Sequence, residues 1–269
     1  LWISLYFLCS VLGNITFLLA IKAESSLREP IYLLLAMLAS TDLVLSTSTL
    51  PNMFDIFWLD SYLAQMFFIH TFLLVESGML VAMALDCYIT ICHPLRHSSI
   101  LYTPMVVALG SLVLVCGVLL VSPSCFILRR MPFCQQRIIS HCEHMAMVKL
   151  ACGDTRVSYI YGFFVAFVLS GPDLTLISVS YTVILQVVRR QSPTEARHKL
   201  FNMSMSMSHA CVTLDFYIPA IFMFLTHGFG QSIPPHVHVI VVNLYLMVPP
   251  MLNSIVYGVR TKKIWDTVV

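Results

Sequence analysis

Four carboxylic acids stand where acids are costly. Asp42, Glu76, Asp173 and Asp215 each fall inside a long apolar run, and a charge at the centre of a membrane helix costs at least about 2.5–3.5 kcal/mol. Such groups must be protonated, paired or hydrated. Asp42 and Glu76 sit mid-run in the second and third apolar segments, where they could share a cation, sodium being the simplest, or a proton. The alternative is a pair of neutral, hydrogen-bonded acids that only hold helices together. A second group of reactive side chains, Cys134, Cys142 and Cys152, lies in the longest polar break among Arg, His and Glu. Thiols facing an oxidising compartment predict at least one disulfide, with the pairing left open by spacing alone. A zinc site from Cys134, His141, Cys142 and His144 is the rival reading, but its spacing matches no common metal pattern. His70, Leu73 and Leu74 form an i, i+3, i+4 face, on which a histidine serves either as a core residue or as the one polar group of a pocket.

The elements that position these residues are long and uncharged. Seven apolar runs, 1–22, 31–57, 63–91, 105–128, 157–188, 200–226 and 237–259, alternate with short breaks rich in charge, proline or histidine. A hydrocarbon core about 30 Å thick takes roughly 20 residues of helix to cross, and backbone groups inside it must pair within their own segment. The chain is 58% hydrophobic and only 10% charged, a composition that could not cover its apolar surface in water. Residues 1–269 therefore read as one all-α membrane domain, a seven-helix transmembrane bundle embedded in the lipid bilayer. The sequence opens inside an apolar run without Met, so residues before Leu1 are expected.

Lys and Arg set the orientation. One set of breaks, with the tail, holds ten: Lys22, Arg28, Arg96, Arg189, Arg190, Arg197, Lys199, Arg260, Lys262 and Lys263; the other holds five, all between Arg129 and Arg156. Positive residues favour the cytoplasm. The N-terminus is expected outside, the C-terminus inside, and the cysteine-bearing loop outside.

Several phrases then become legible. MALDCYITICHPLRH at 83–97 resembles the end of the third helix of olfactory receptors, whose pattern is MAxDRYVAICxPLRY. LASTDLVLSTSTLP at 38–51, SVSY at 178–181, SH at 208–209, FYIP at 216–219 and PPMLNSIVYGVRTKKI at 249–264 fall where that family has counterparts. FFIH at 67–70, CEHM at 142–145, FLTHGFG at 224–230 and IPPHVH at 233–238 resemble the class I, or fish-like, members, especially families fifty-one and fifty-two. The resemblance covers essentially the whole chain.

It implies a rhodopsin-like receptor of the plasma membrane that binds a small odorant in the outer half of the bundle and signals through a stimulatory heterotrimeric G protein. The matching ligand positions are His70, Leu73, His144, Met145, Gly162, Ala166, Tyr217, Ile221, Phe224 and Gly228; those of the G-protein face are Asp86, Cys87, Tyr88, Tyr181 and Tyr257. Relatives use the acids matching Asp42 and Glu76, with Asn253 close by, as a centre that holds Na⁺. The family's loop cysteines pair the match of Cys134 with that of Cys152, while the partner of Cys142 is absent here.

The departures are informative. Relatives commonly carry HRFG where this chain has His227, Gly228, Phe229 and Gly230, and the missing Arg would grip a carboxylate by a bidentate fork that glycine cannot replace. A less polar odorant is expected, with His70 or His144 as its hydrogen-bond partner. The DRY triplet reads Asp86, Cys87, Tyr88, and serine replaces proline in Asn253, Ser254, Ile255, Val256, Tyr257, so weakened coupling is expected. Asp215 occupies an ordinarily apolar place. Asp60 and Ser61 run straight into Tyr62, where relatives carry a further stretch of outer loop.

Other classes fit less well. No Lys stands between Val237 and Val259 for a retinal Schiff base, and no nucleophile or metal arrangement suggests an enzyme. A transporter would show internal repeats, and none is visible, although Gly171-Pro172-Asp173 is expected to interrupt the fifth helix. Nothing points to nucleic acid, and no cofactor beyond Na⁺ is implied. Asn14-Ile15-Thr16 fits the glycosylation pattern but lies inside a span. The alternative function is a receptor-shaped protein that binds small molecules with weak or no G-protein output.

Overall fold

Hydrocarbon leaves the backbone one local solution, and the described apolar segments all take it. The computed structural model describes residues 2–23, 30–49, 59–93, 102–131, 155–189, 208–222 and 235–260. Seven helical segments run through them: α1 (Trp2–Ala23), α2 (Pro30–Thr49), α3 (Leu59–Cys92), α4 (Thr103–Arg129), α5 (Arg156–Arg189), α6 (residues 208–222) and α7 (Pro235–Arg260). No strand occurs among the described residues. By length and hydropathy alone, α2 to α5 each suffice to cross a bilayer, and Phe7–Ala23 adds a further apolar stretch in α1.

Proline placement helps to set where helices start. Pro104 enters the first turn of α4 behind Tyr102, and Pro235 opens α7; at those positions the missing N–H has no intrahelical partner to lose. Within the helices, Pro123, Pro172, Pro249 and Pro250 interrupt the ladder without ending it. Pro172 lies inside a continuous α5, so the expected interruption at 171–173 does not occur. One lost hydrogen bond is tolerated where no water competes for the rest, and the Thr175 hydroxyl donates to the Pro172 carbonyl at 2.8 Å.

The outer break expected at 58–62 is also corrected. α3 begins at Leu59, four residues before the apolar run suggested, because Asp60 in its first turn suits the positive end of the helix dipole. Asp60 faces Arg129 of α4 at 3.5 Å. Both side chains are exposed, so the pair contributes little to stability.

α3 is the central post, packed against α2, α4 and α5; α1 closes on α2 and α7, and α2 also meets α7. Small residues permit the closest approach. A Cβ added to Gly78 of α3 would stand 2.5 Å from a Val113 methyl of α4. The main core joins Leu34, Leu35 and Leu38 of α2 to Met79, Leu80 and Met83 of α3, while Leu63, Met66, Ile69, Leu128 and Leu246 form a second cluster nearer the start of α3. Leu112, Leu119 and Phe126 of α4 and Ile160, Phe164 and Phe167 of α5 point outward and are exposed. In lipid that surface is solvated and needs no partner.

Polar side chains tie the first helices together. Ser10 and Ser46 share a 2.8 Å hydrogen bond between α1 and α2, and Asn14 donates to the Pro250 carbonyl of α7 at 2.9 Å. Asn14 is fully buried, which agrees with discarding it as a sugar acceptor.

Candidate functional site

Asp42, Glu76 and Asn253 come from α2, α3 and α7 and meet in the bundle interior. The Asn253 amide nitrogen donates to both Asp42 carboxylate oxygens, at 3.1 and 3.3 Å, and to Glu76 Oε1 at 3.2 Å. All three side chains are buried. Two acids therefore share one neutral donor, and no Lys or Arg among the described residues lies away from a helix end. Glu76 Oε2 and Asn253 Oδ1 have no hydrogen-bond partner. Oxygens that can only accept, in a group of acids without a base, suit a hard cation or a proton.

One helical position further along, Ser77 begins a second polar chain. Its hydroxyl donates to the Asp173 carboxylate of α5 and lies 2.7 Å from the Tyr217 hydroxyl of α6. Tyr217, matched by resemblance to a ligand position, is buried, and its hydroxyl is engaged with Ser77. Its ring meets Phe216 edge to face, and Phe216 in turn packs against Tyr245 of α7. Asp173 thus links α5 to α3 and α6. Ser77 and Tyr245 were not legible as site residues, since an isolated Ser or Tyr in an apolar run has no spacing signal.

In the first half of α3, His70 is half-buried. Its Nδ1 lies 2.9 Å from the Met66 carbonyl, an oxygen that can only accept, so Nδ1 carries the proton and Nε2 of the neutral ring is an acceptor. Leu73 packs partly buried against the core. Gly162 and Ala166 are half-buried on α5, and Ile221 of α6 is exposed. His144, Met145, Phe224, Gly228, Cys134 and Cys152 lie outside the described residues, as do His141 and Cys142 of the zinc alternative. Among the described residues no three His, Cys, Asp or Glu side chains converge on a metal position.

At the opposite end of α3, Asp86 is buried and Cys87 half-buried. The Tyr88 hydroxyl reaches His93 Nε2 at 3.4 Å. Tyr181 of α5 bonds His209 of α6 through Nδ1, with the rings stacked at 6.0 Å. Tyr257 of α7 is buried, its hydroxyl lacks a hydrogen-bond partner, and Tyr181 and Cys87 lie within its electrostatic reach. His209 completes this end. Its signal was the SH pair at 208–209, which marked a family match but no role.

The molecule thus has a half-buried histidine toward one end, acids at mid-depth and a tyrosine–histidine cluster toward the other. Comparison with known proteins accords with this layout. The family model described as "Olfactory receptor" matches residues 3–269. The chain is similar to three proteins of Homo sapiens. Against Olfactory receptor 52R1 it is 53% identical over 282 residues, covering 100% of this chain and 89% of the relative. Olfactory receptor 52P1 is 46% identical over 100% of this chain and 87% of its own length, and Olfactory receptor 52A1 is 46% identical over 98% and 88%.

Proposed function

The chain belongs to the olfactory receptor family and is an odorant-sensing G-protein-coupled receptor of the plasma membrane, not an enzyme; on that premise we propose that its ligand is a small, mainly apolar odorant held in the outer half of the bundle. Small-molecule sites combine broad apolar lining with few polar groups. The residues matched to that pocket are His70, Leu73, Gly162, Ala166 and Ile221, with His144, Met145, Phe224 and Gly228 beyond the described segments. Tyr217 supports it from below.

His70 is the observation that supports the ligand class. With Nδ1–H committed to Met66, the neutral ring offers Nε2 as an acceptor, which suits a hydroxyl-bearing odorant better than a ketone of the same shape. The absence of Arg at Gly228 argues against a carboxylate. A binding panel tests both points: His70→Phe should erase the preference for alcohol over ketone, and Gly228→Arg should shift preference toward carboxylic acids. No shift in either variant would place these residues outside the pocket.

The polar centre of Asp42, Glu76 and Asn253 is assigned a sodium ion, because its unpaired oxygens only accept and no base neutralises its acids. If Glu76→Gln left both stability and ligand response as sensitive to sodium as before, the acids would be structural only. The N-terminus is placed outside and the tail in the cytoplasm, and a Cys134–Cys152 disulfide is assigned to the outer loop. Residues 1–269 act as one receptor domain.

Output is proposed to pass to a stimulatory G protein through the end of α3 that bears Asp86, Cys87 and Tyr88, with Tyr181 and Tyr257 beside it. The second reading, odorant binding with little G-protein output, is favoured by one feature: a thiol at Cys87 where the family pattern has a guanidinium. Odorant-driven cyclic AMP in cells expressing the chain separates the two.

A further inference from the structure

α1 and α7 meet across a missing side chain. A Cβ added to Gly13 of α1 would stand 2.6 Å from the Ser254 hydroxyl oxygen of α7 and 3.3 Å from the Ser254 Cβ, so the glycine leaves a notch in which Ser254 sits. Small residues let helix backbones draw together in a membrane. One residue on, Asn14 donates to the Pro250 carbonyl of α7 and to the Ser10 carbonyl of its own helix, each at 2.9 Å, which uses both amide hydrogens. Ser10 in turn shares a hydrogen bond with Ser46 of α2. Ser254, like Asn14, is buried.

Ser254 stands where the family pattern has proline. Proline would leave the Pro250 carbonyl without its donor from four residues on; serine supplies that N–H, and a carbonyl oxygen has lone pairs for it and for Asn14 alike. The Ser254 hydroxyl donates to the Met251 carbonyl at 3.0 Å. Prolines therefore interrupt the ladder of α7 only at 249 and 250, and the segment beyond them is stiff. Tyr257 lies nearly one turn past Ser254, buried in the main core with its hydroxyl unpartnered. A stiff segment cannot turn that hydroxyl toward a partner without drawing Ser254 from its notch. We propose that Gly13, Asn14 and Ser254 clamp α7 beyond Pro250 to α1 and hold Tyr257 at rest, an autoinhibitory contact particular to this chain. The proposal rests on the reading of the chain as a receptor of weak output and adds a restraint on helices other than that of Cys87.

Hydrogen–deuterium exchange of the purified receptor in lipid nanodiscs, without agonist or G protein, tests the clamp. Filling the notch as Gly13→Val should speed exchange over residues 251–258 about tenfold, since exchange reads local opening, and leave α4 unchanged. Gly13→Ala, the milder variant should valine fold poorly, is expected to act in the same direction. Adding Ser254→Ala to it removes the oxygen 2.6 Å from the new methyl and should slow exchange again. Exchange over 251–258 that ignores the filled notch, or that Ser254→Ala does not recover, would overturn the proposal. The consequence for output is read as agonist-independent cyclic AMP in the Cys87→Arg receptor at matched surface expression, where Gly13→Val and Ser254→Pro should each raise it several-fold. A freed segment with unchanged output would overturn the autoinhibitory role. Freed exchange beside a complete absence of cyclic AMP, odorant-driven output included, would keep the clamp and overturn the G-protein reading instead.

Discussion

Cys87 is the residue with the largest expected effect on output. It stands beside buried Asp86 and within electrostatic reach of Tyr257, whose hydroxyl has no partner. An arginine at this place would have an adjacent acid and an unpaired phenol to bind, and a guanidinium can donate to both. We expect Cys87→Arg to raise agonist-driven cyclic AMP several-fold at matched surface expression, because a ligand biases a two-state bundle only as far as the active state is itself stabilised. Equal output from both proteins would show that coupling depends on other residues, Tyr181 and His209 being the nearest candidates. Asn253 allows a second test at this scale. Replacing it by Leu removes the one donor that Asp42 and Glu76 share, and hydrogen bonds to charged or acidic groups contribute roughly 1.5–3 kcal/mol. A clear fall in the unfolding midpoint is expected; an unchanged midpoint would mean that the acids find another donor.

Among the elements, α3 and α5 give the sharpest contrast between two glycines. Gly78 marks the closest approach of α3 to α4, where an added Cβ would stand 2.5 Å from a Val113 methyl. Gly78→Val should therefore destabilise the receptor by about 1–3 kcal/mol, the usual cost of overpacking, and Val113→Ala in the same chain should recover much of the loss. Gly171 of α5 has nothing within 4 Å of where a Cβ would lie. There, alanine replaces the poorest non-proline helix former with the best at a site with room for it, and a gain of about 0.5–1 kcal/mol is expected. Thermal unfolding of the two variants side by side checks the difference in sign. Pro172 is itself exposed, so its ring meets no neighbouring helix and α5 runs on through it.

For the whole molecule, the apolar outer faces of α4 and α5 and the confinement of basic side chains to helix ends describe a bundle solvated by lipid at its waist and by water at its rims. Orientation follows from the uneven distribution of Lys and Arg. With a cysteine introduced as Ser192→Cys, a membrane-impermeant thiol reagent should label position 192 only after the cells are opened. Labelling from outside intact cells would invert the assignment, and with it the outer location of His70. The alignment with Olfactory receptor 52R1 spans 282 residues where this chain has 269, so that relative carries residues with no counterpart here.

Amino-acid order alone determined that this chain is a helical membrane bundle, where the spans of α1, α4, α5 and α7 lie to within a few residues, and which acids would need company. These properties are local, since hydropathy and helical period are read within one segment. It also carried enough family words for the receptor assignment. What it could not decide is which side chains meet. Asp42, Glu76 and Asn253 were expected together, and helices two, three and seven do bring them together; but that Asn253 donates to both acids and that Asp173 turns to Ser77 and Tyr217 depend on how each helix is rotated about its axis. Rotation is set by contacts such as Gly78 on Val113 and Asn14 on Pro250, between segments far apart in the chain. The start of α3 at Leu59 was hidden for a related reason: Asp60 is polar and read as loop, and only its position at the end of a helix packed beside α4 makes a charged residue a favourable first turn.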